Sequence, residues 1–108
     1  MKGNVLKGHL DLLLLAAVSS GHAHGYAIIE HLRSSSGDTF ALLEGTIYPA
    51  LHRLEKAGLL TSRWSEVQGR RRRTYALTPR GQEALARQRE DWRTFARAMD
   101  GVLESSPA

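Results

Sequence analysis

The segment from Glu44 to Gly81 constrains the fold of this chain more than any other part of the sequence. A helical pattern leads into two short strand patterns that are separated by Gln68-Gly69, and a new helix start follows at Thr78-Pro79. Four consecutive arginines, Arg70 to Arg73, stand where we expect the tip between the strands. A helix followed by a hairpin with a basic tip predicts a winged helix. Such a helix can enter the major groove of DNA while the tip holds the phosphates alongside.

Two more helices precede this segment in the predicted order. Apolar residues recur at helical spacing over residues 6–20 and again over 24–35. The first helix is apolar on more than one side, so we expect the domain core to cover one side and a partner subunit the other. Gly25 suits a close approach between helices. The expected fold class is mainly α with a small β-hairpin.

The details of the central segment can also be predicted. The third helix should span residues 44–57, with Pro49 in or near its first turn and Gly58 as a left-handed C-cap. The strands should cover residues 60–67 and 73–77, with Trp64 as an inward anchor.

The last predicted helix runs from Pro79 to about Glu104, with Thr78 as its N-cap. Its apolar stripe is longer than a small domain can cover, and its spacing is that of an intersubunit seam. A stripe that folds back on its own core is the alternative. We therefore divide the chain into a winged-helix domain (1–78) and a dimerisation helix with a short tail (79–108). The predicted dimer-interface residues are Leu10, Leu14, Leu85, Trp92, Phe95, Met99, Val102 and Leu103.

The charge is concentrated in the first part of the chain. Residues 1–78 hold ten basic and six acidic residues, whereas residues 79–108 hold five of each, so the net charge of +4 lies entirely in the first part. A localised basic patch indicates a polyanionic partner, most simply nucleic acid. The predicted DNA-binding residues are Thr46, Tyr48, His52, Arg53 and Lys56 on the third helix and Arg70, Arg71, Arg72 and Arg73 on the hairpin.

Each of these assignments has a simpler alternative. The arginine run could be a solvated turn, but four adjacent like charges repel one another without an anionic partner. In strand geometry Arg71 and Arg73 point one way and Arg70 and Arg72 the other, so half of them can face DNA. The outer face of the third helix could be an ordinary wet surface. Glu55 lies outward as well and is expected to point away from phosphate.

Other function classes find little support in the sequence. There is no cysteine, so disulfides, thiolate metal sites and cysteine nucleophiles are excluded. His22 and His24 are a weak metal signal without further ligands nearby, and we expect them to serve the loop and the start of the second helix. No catalytic group, metal site or cofactor is predicted. The apolar run 12–18 is too short to cross a bilayer, and the lack of a secretory signal favours the cytoplasm.

Several strings of the sequence resemble the PadR family of transcriptional regulators. The central one is GTIYPALHRLEKAGLL, residues 45–60, and it is supported by HGY at 24–26, Trp64 and YALTPRG at 75–81. The short C-terminal helix resembles the compact branch of that family. The resemblance implies a homodimeric repressor on near-palindromic double-stranded operator DNA, released by an effector. In this sequence Arg71 stands where the family often has a proline in the wing.

In the compact branch some members bind planar aromatic compounds between paired tryptophans at the dimer centre. The resemblance therefore implies an effector site at Trp92, Phe95, Ala96 and Met99, which could equally be plain interface core. Two other functions remain open from the sequence. One is a non-specific nucleic-acid-binding protein, and the other is a small-molecule-binding or interaction module whose basic tip is incidental.

Overall fold

The computed structural model describes residue 6 and residues 8–107 of the chain. The elements are α1 (Leu10–Ser19), α2 (Gly25–Ser35), α3 (Glu44–Lys56), β1 (Leu60–Val67), β2 (Arg70–Leu77) and α4 (Pro79–Ser105). The fold is mainly helical with a single antiparallel hairpin in the described residues, as the sequence predicts. The predicted start of the first helix falls partly on residues outside the described ones. The regular helix α1 begins at Leu10, after a turn at Gly8 and His9.

Helix α1 lies at the centre of the core. It packs against α2, α3, β2 and α4, which explains why more than one of its sides is apolar. Leu14 is fully buried and Leu85 is nearly so, both within one chain. The prediction that these two residues contact a partner subunit is therefore wrong, because the core of their own chain covers Leu14 completely and Leu85 almost completely. The core residues are Leu14, Leu15, Ala17, Val18, Ile28, Leu32, Ile47, Ala50, Leu51, Leu54, Leu60, Tyr75, Ala84 and Leu85.

The hairpin, which we call the wing (residues 60–77), turns at Gln68 and Gly69. Both have positive φ, 53° and 77°, as a two-residue turn between twisted strands requires. Val67 therefore pairs directly with Arg70, and β2 begins at Arg70. The prediction that the four arginines form the tip, with the return strand starting at Arg73, is wrong. They form the first half of a strand, because the turn needs only two residues.

Trp64 is a second correction in the wing. Its side chain is 55% exposed, so it is not an inward anchor. The strand alternates correctly, but the wing projects beyond the core at this point, and the inward face of β1 and β2 has no core to meet. Leu60 and Tyr75 lie nearer the base of the wing, and their side chains are the ones that are buried in the core.

The end of α3, the base of the wing and the start of α4 meet in one junction, formed by Gly58, Leu59, Thr78 and Gly81. Gly58 has a φ of 82°, which confirms its predicted left-handed conformation. The Thr78 N–H donates to the Leu59 carbonyl at 3.1 Å. The Thr78 hydroxyl donates to the Gly58 carbonyl at 2.6 Å and accepts the Gly81 N–H at 3.0 Å, which confirms the predicted N-cap.

Helix α4 is only partly held by this core. It has 27 residues, and only Gly81, Ala84 and Leu85 among them are buried. At about 1.5 Å per residue the helix is roughly 40 Å long, so its second half extends away from the domain.

Pro49 differs slightly from its predicted place, since it lies inside α3 beyond the first turn. No described helix combines the length and apolar character that crossing a membrane requires.

We expect Gly81→Ala to lower the free energy of unfolding by about 1–3 kcal/mol, because a Cβ at Gly81 would collide with the Leu59 carbonyl. Gly101→Ala, in the same helix, is the matched control. Nothing lies within 4 Å of a Cβ there, so this change should stabilise the protein by roughly 0.5–1 kcal/mol. Urea unfolding of both variants measures the difference. Equal stabilities would contradict the tight junction.

Candidate nucleic-acid interface

Helix α3 presents one ridge and two flanks to its surroundings. Ile47, Ala50, Leu51 and Leu54 are buried beneath it. At 100° per residue, the side opposite this face carries Gly45, Pro49, His52 and Lys56, and all four are exposed. Thr46 and Arg53 lie on one flank, and Tyr48 and Glu55 lie on the other. The predicted DNA-binding residues of α3 are thus divided between the ridge and its two flanks, and only His52 and Lys56 lie on the ridge.

The Arg53 flank is tied to α1 by an ion pair. Both terminal nitrogens of the guanidinium donate to the Asp11 carboxylate, Nη1 to Oδ2 at 2.9 Å and Nη2 to Oδ1 at 2.7 Å. These hydrogen bonds, and then the charge of the same carboxylate, raise the pKa of Arg53. Sequence reasoning missed this partner because residues 11 and 53 are far apart in the chain and no spacing rule links them.

The opposite flank is tied to the wing. Glu55 accepts a hydrogen bond from the Ser62 hydroxyl at 2.7 Å, and Ser62 accepts one from Arg73 Nε at 2.8 Å. Arg73 Nη2 also lies 3.8 Å from the Glu55 carboxylate. The Glu55 carboxylate therefore faces the base of the wing, and its expected position away from phosphate stays a prediction. Arg73, a predicted DNA-binding residue, is partly engaged within the protein.

The ring of Trp64 makes cation–π contacts with two of the wing arginines. The guanidinium carbons of Arg71 and Arg73 lie 4.8 Å and 5.3 Å from the centre of its ring. The two arginines therefore share one face of the strand, as the predicted alternation requires, and the ring attracts their cations. The sequence contained the signal for this contact, because a two-residue turn at Gln68-Gly69 sets Trp64 directly opposite Arg73. Arg70, Arg71 and Arg72 take part in no ion pair within the described ranges.

A groove of about 610 Å³ separates the wing from the start of α2 and from Tyr48. Gly25 permits this arrangement, since a Cβ there would collide with the Tyr48 ring. The predicted close approach at Gly25 is confirmed. Tyr26 and His24 also line the groove, and sequence reasoning named neither as a site residue.

His24 caps α2, because its Nδ1 accepts the Ala27 N–H at 3.4 Å. Burial, and then the nearby charge of Arg72, lower the pKa of His24. A lowered pKa favours the neutral imidazole, which is the form that can accept the capping hydrogen bond. The His22 ring stacks on the His31 ring, with 3.9 Å between ring centres. No three potential metal ligands come together in the described part of the chain.

A second cleft, of about 320 Å³, lies between the start of α1 and the middle of α4. The ring centres of His9 and Trp92 are 5.1 Å apart in an edge-to-face arrangement, and those of Trp92 and Phe95 are 5.9 Å apart. Two of the four predicted effector residues, Trp92 and Phe95, line this cleft, whereas Ala96 and Met99 do not. Gly8, His9 and Leu12 supply the opposite wall.

The exposed end of α4 carries the remaining predicted interface residues. Phe95 is 53%, Val102 68% and Leu103 63% exposed, and Trp92 and Met99 are each close to half exposed. Leu10, on α1, is partly buried. A helix with this many large apolar side chains in water has an uncovered face.

Comparisons with known proteins identify the family and support the fold. The model of the PadR-like family of transcriptional regulators matches residues 14–87. The transcriptional regulator Rv3488 of Mycobacterium tuberculosis is 38% identical over 90 residues, which cover 83% of this chain and 81% of that protein. A PadR family regulator from Clostridium difficile R20291 superposes with a TM-score of 0.79 at 33% identity, covering 89% of this chain and 99% of that one.

A PadR-like regulator from Bacillus cereus is also similar in structure. It has a TM-score of 0.84 at 26% identity and covers 96% of this chain and all of its own. The chain belongs to the PadR-like family of transcriptional regulators. Its fold is the winged helix predicted from the sequence, and the family is one of regulators and not of enzymes. Regulators of this family bind DNA, which is therefore the partner expected from family membership.

Proposed function

We propose that the protein is a homodimeric repressor that binds a specific operator in double-stranded DNA. The observation that carries this proposal is the exposed polar ridge of α3 beside a wing whose arginines Arg70, Arg71 and Arg72 have no internal ion-pair partner among the described residues. His52 and Lys56 on the ridge can donate hydrogen bonds to base edges, and the wing arginines can hold the phosphates. A regulator of this kind acts where the DNA is, which supports a cytoplasmic location.

The arrangement of the two elements supports simultaneous contact with DNA. The Glu55–Ser62–Arg73 chain of hydrogen bonds ties α3 to the wing, so the two approach a duplex as one unit. In a twofold dimer the recognition helices would lie about 34 Å apart, or a multiple of it, to enter successive major grooves. An operator with two inverted half-sites at that spacing follows from this symmetry.

The test is fluorescence anisotropy with a duplex from immediately upstream of this protein's gene and a scrambled duplex of equal length. We expect tight binding to the first, with an affinity that falls steeply with salt. Replacing Arg70 and Arg72 by Ala should flatten the log–log salt slope by about two for each subunit, because two phosphate contacts are lost. Arg87→Ala with Arg93→Ala, on α4, removes the same charge and should leave the slope nearly unchanged.

Equal binding to the two duplexes would replace the proposal with a general nucleic-acid binder. An absence of binding to either would favour an interaction module whose function lies at the Trp92 cleft.

The dimer in this proposal forms along the exposed stripe of α4. Trp92, Phe95, Met99, Val102 and Leu103 lie on one side of a helix whose second half has no core beneath it. Burying this stripe against the same helix of a second chain would remove its apolar surface from water.

Met99→Asp should dissociate the dimer, because a carboxylate in the centre of an apolar seam cannot be solvated or paired. Met99 is exposed in the single chain, so its folding should survive the change. Thr94→Asp places the same charge on the opposite side of α4 and serves as the control. Sedimentation equilibrium should give twice the chain mass of 12.0 kDa for the wild type and for Thr94→Asp. A monomeric wild type would contradict the seam.

The effector part of the proposal places a planar aromatic molecule against Trp92. Two such rings, one from each subunit, could sandwich a flat ligand, and the cleft beside Trp92 has room for one. A ligand that favours one angle between the subunits would change the spacing of the recognition helices and thereby the DNA affinity.

An acridine dye should quench the emission of Trp92, measured in a Trp64→Phe background because the chain has two tryptophans. Stacking on the indole is the expected cause of quenching. The dye's own fluorescence then reports its affinity for Trp92→Ala. Equal affinity for that variant and for its parent would show that the dye does not stack on Trp92.

A further inference from the structure

Arg53 is a predicted DNA contact whose hydrogen-bonding edge is already occupied. Both Nη1 and Nη2 donate to Asp11, which is the end-on fork with which an arginine grips a phosphate or a guanine edge. An anion on DNA cannot use the same two N–H groups while the carboxylate holds them. Arg53 therefore can contact DNA through this fork only after the ion pair opens.

The ion pair is placed where DNA can reach it. The side chain of Arg53 is 58% exposed and that of Asp11 is 38% exposed, so water and solutes have access to both. Exposed ion pairs of this kind contribute little to stability, which makes exchange for another anion inexpensive. The buried clusters of the core do not depend on it.

Asp11 also has a second source of stabilisation when Arg53 leaves. It lies in the first turn of α1, whose N-cap residue, His9, makes no side-chain capping bond. A carboxylate in the first turn interacts favourably with the partial positive charge of a helix N-terminus. Opening the ion pair therefore leaves neither partner unsatisfied, since Arg53 would pass to DNA and Asp11 would keep the helix end.

We propose that Asp11 masks Arg53, so that the carboxylate competes with DNA for the guanidinium and lowers the affinity of the protein for DNA. This proposal rests on DNA binding by α3, as stated above, and adds a residue that weakens it. Asp11 acts through Arg53 and is not itself a contact. The ion pair makes α3 bind DNA less tightly than its charge alone would allow.

Asp11→Asn is the direct test, measured by anisotropy on both the upstream and the scrambled duplex at low salt. The variant should bind both duplexes about three- to fivefold more tightly for each subunit, because the competing anion is gone while a polar side chain of equal size remains. Glu104→Gln is the control for charge. It removes one carboxylate from the exposed last turn of α4 and should leave the affinity almost unchanged.

A double-mutant cycle separates masking from other effects of Asp11. In an Arg53→Ala background, Asp11→Asn should no longer tighten binding, because the masked group is absent. Thermal unfolding confirms that each variant is folded. If Asp11→Asn weakens DNA binding, the ion pair positions Arg53 and the proposal is overturned.

An equal gain in both backgrounds would also overturn masking, because the effect would then be one of general charge. Failure of the proposed function would give a different result, because the wild type would then not prefer the upstream duplex. The variants could still be compared with the wild type on either duplex. Loss of all binding by the wild type would remove both proposals.

Discussion

The carbonyl of Leu59 is the point on which the arrangement of this molecule depends. It accepts the N–H of Thr78 and lies against the bare Cα of Gly81, while the Thr78 hydroxyl reaches the neighbouring Gly58 carbonyl. Helix α3 ends here, both strands of the wing have their base here, and α4 begins here. A side chain at Gly81 would move α4 away from the wing, so a glycine is required by space and not by its backbone angles. The junction converts three consecutive elements into one body.

On that body α3 is held from both sides by charged groups. Asp11 engages Arg53 on one flank, and Ser62 and Arg73 engage Glu55 on the other. Because the flanks are engaged in these contacts, the ridge between them is the surface that a partner can reach without breaking a bond inside the protein. His52 and Lys56 lie on that ridge, and the remaining wing arginines extend beside it. The proposed division of labour follows from this geometry, with base contacts made by the ridge and phosphate contacts made by the wing.

The start of α1 contacts both the cleft beside α4 and the recognition helix α3. His9 packs on Trp92 in the α4 cleft, and Asp11, two residues later, pairs with Arg53 on α3. Cleft and recognition helix thus share one short segment of chain. The proposed effector site is therefore not remote from the DNA surface, although the seam and the ridge lie on different helices.

The sequence predicted the order of elements, the cap at Thr78 and the left-handed Gly58, because each depends on neighbours within a few positions. The same local rules failed where the outcome depends on distant parts of the chain. Leu14 and Leu85 looked available for a partner because periodicity does not reveal how many elements surround a helix. Trp64 looked buried because strand alternation does not reveal where the core ends.

The candidate site divides in the same way. The ridge of α3 and the alternation of the wing arginines follow from helical and strand spacing, and both were predictable. The pairing of Arg53 with Asp11 was not, since it joins residues from α1 and α3 that only the tertiary fold brings together. The same holds for Glu55 and Arg73, whose contact requires the angle between α3 and the wing. Opposite charges were visible in the sequence, but their partners were not.

The most direct test of this account is a map of backbone amide chemical-shift changes on adding the upstream duplex. We expect the largest changes on the ridge of α3, at residues 45–56, and in the wing, at residues 68–72. Both should appear at the same DNA concentration, because the junction makes α3 and the wing one body. Changes confined to the wing, or centred on the cleft at Trp92, would contradict it.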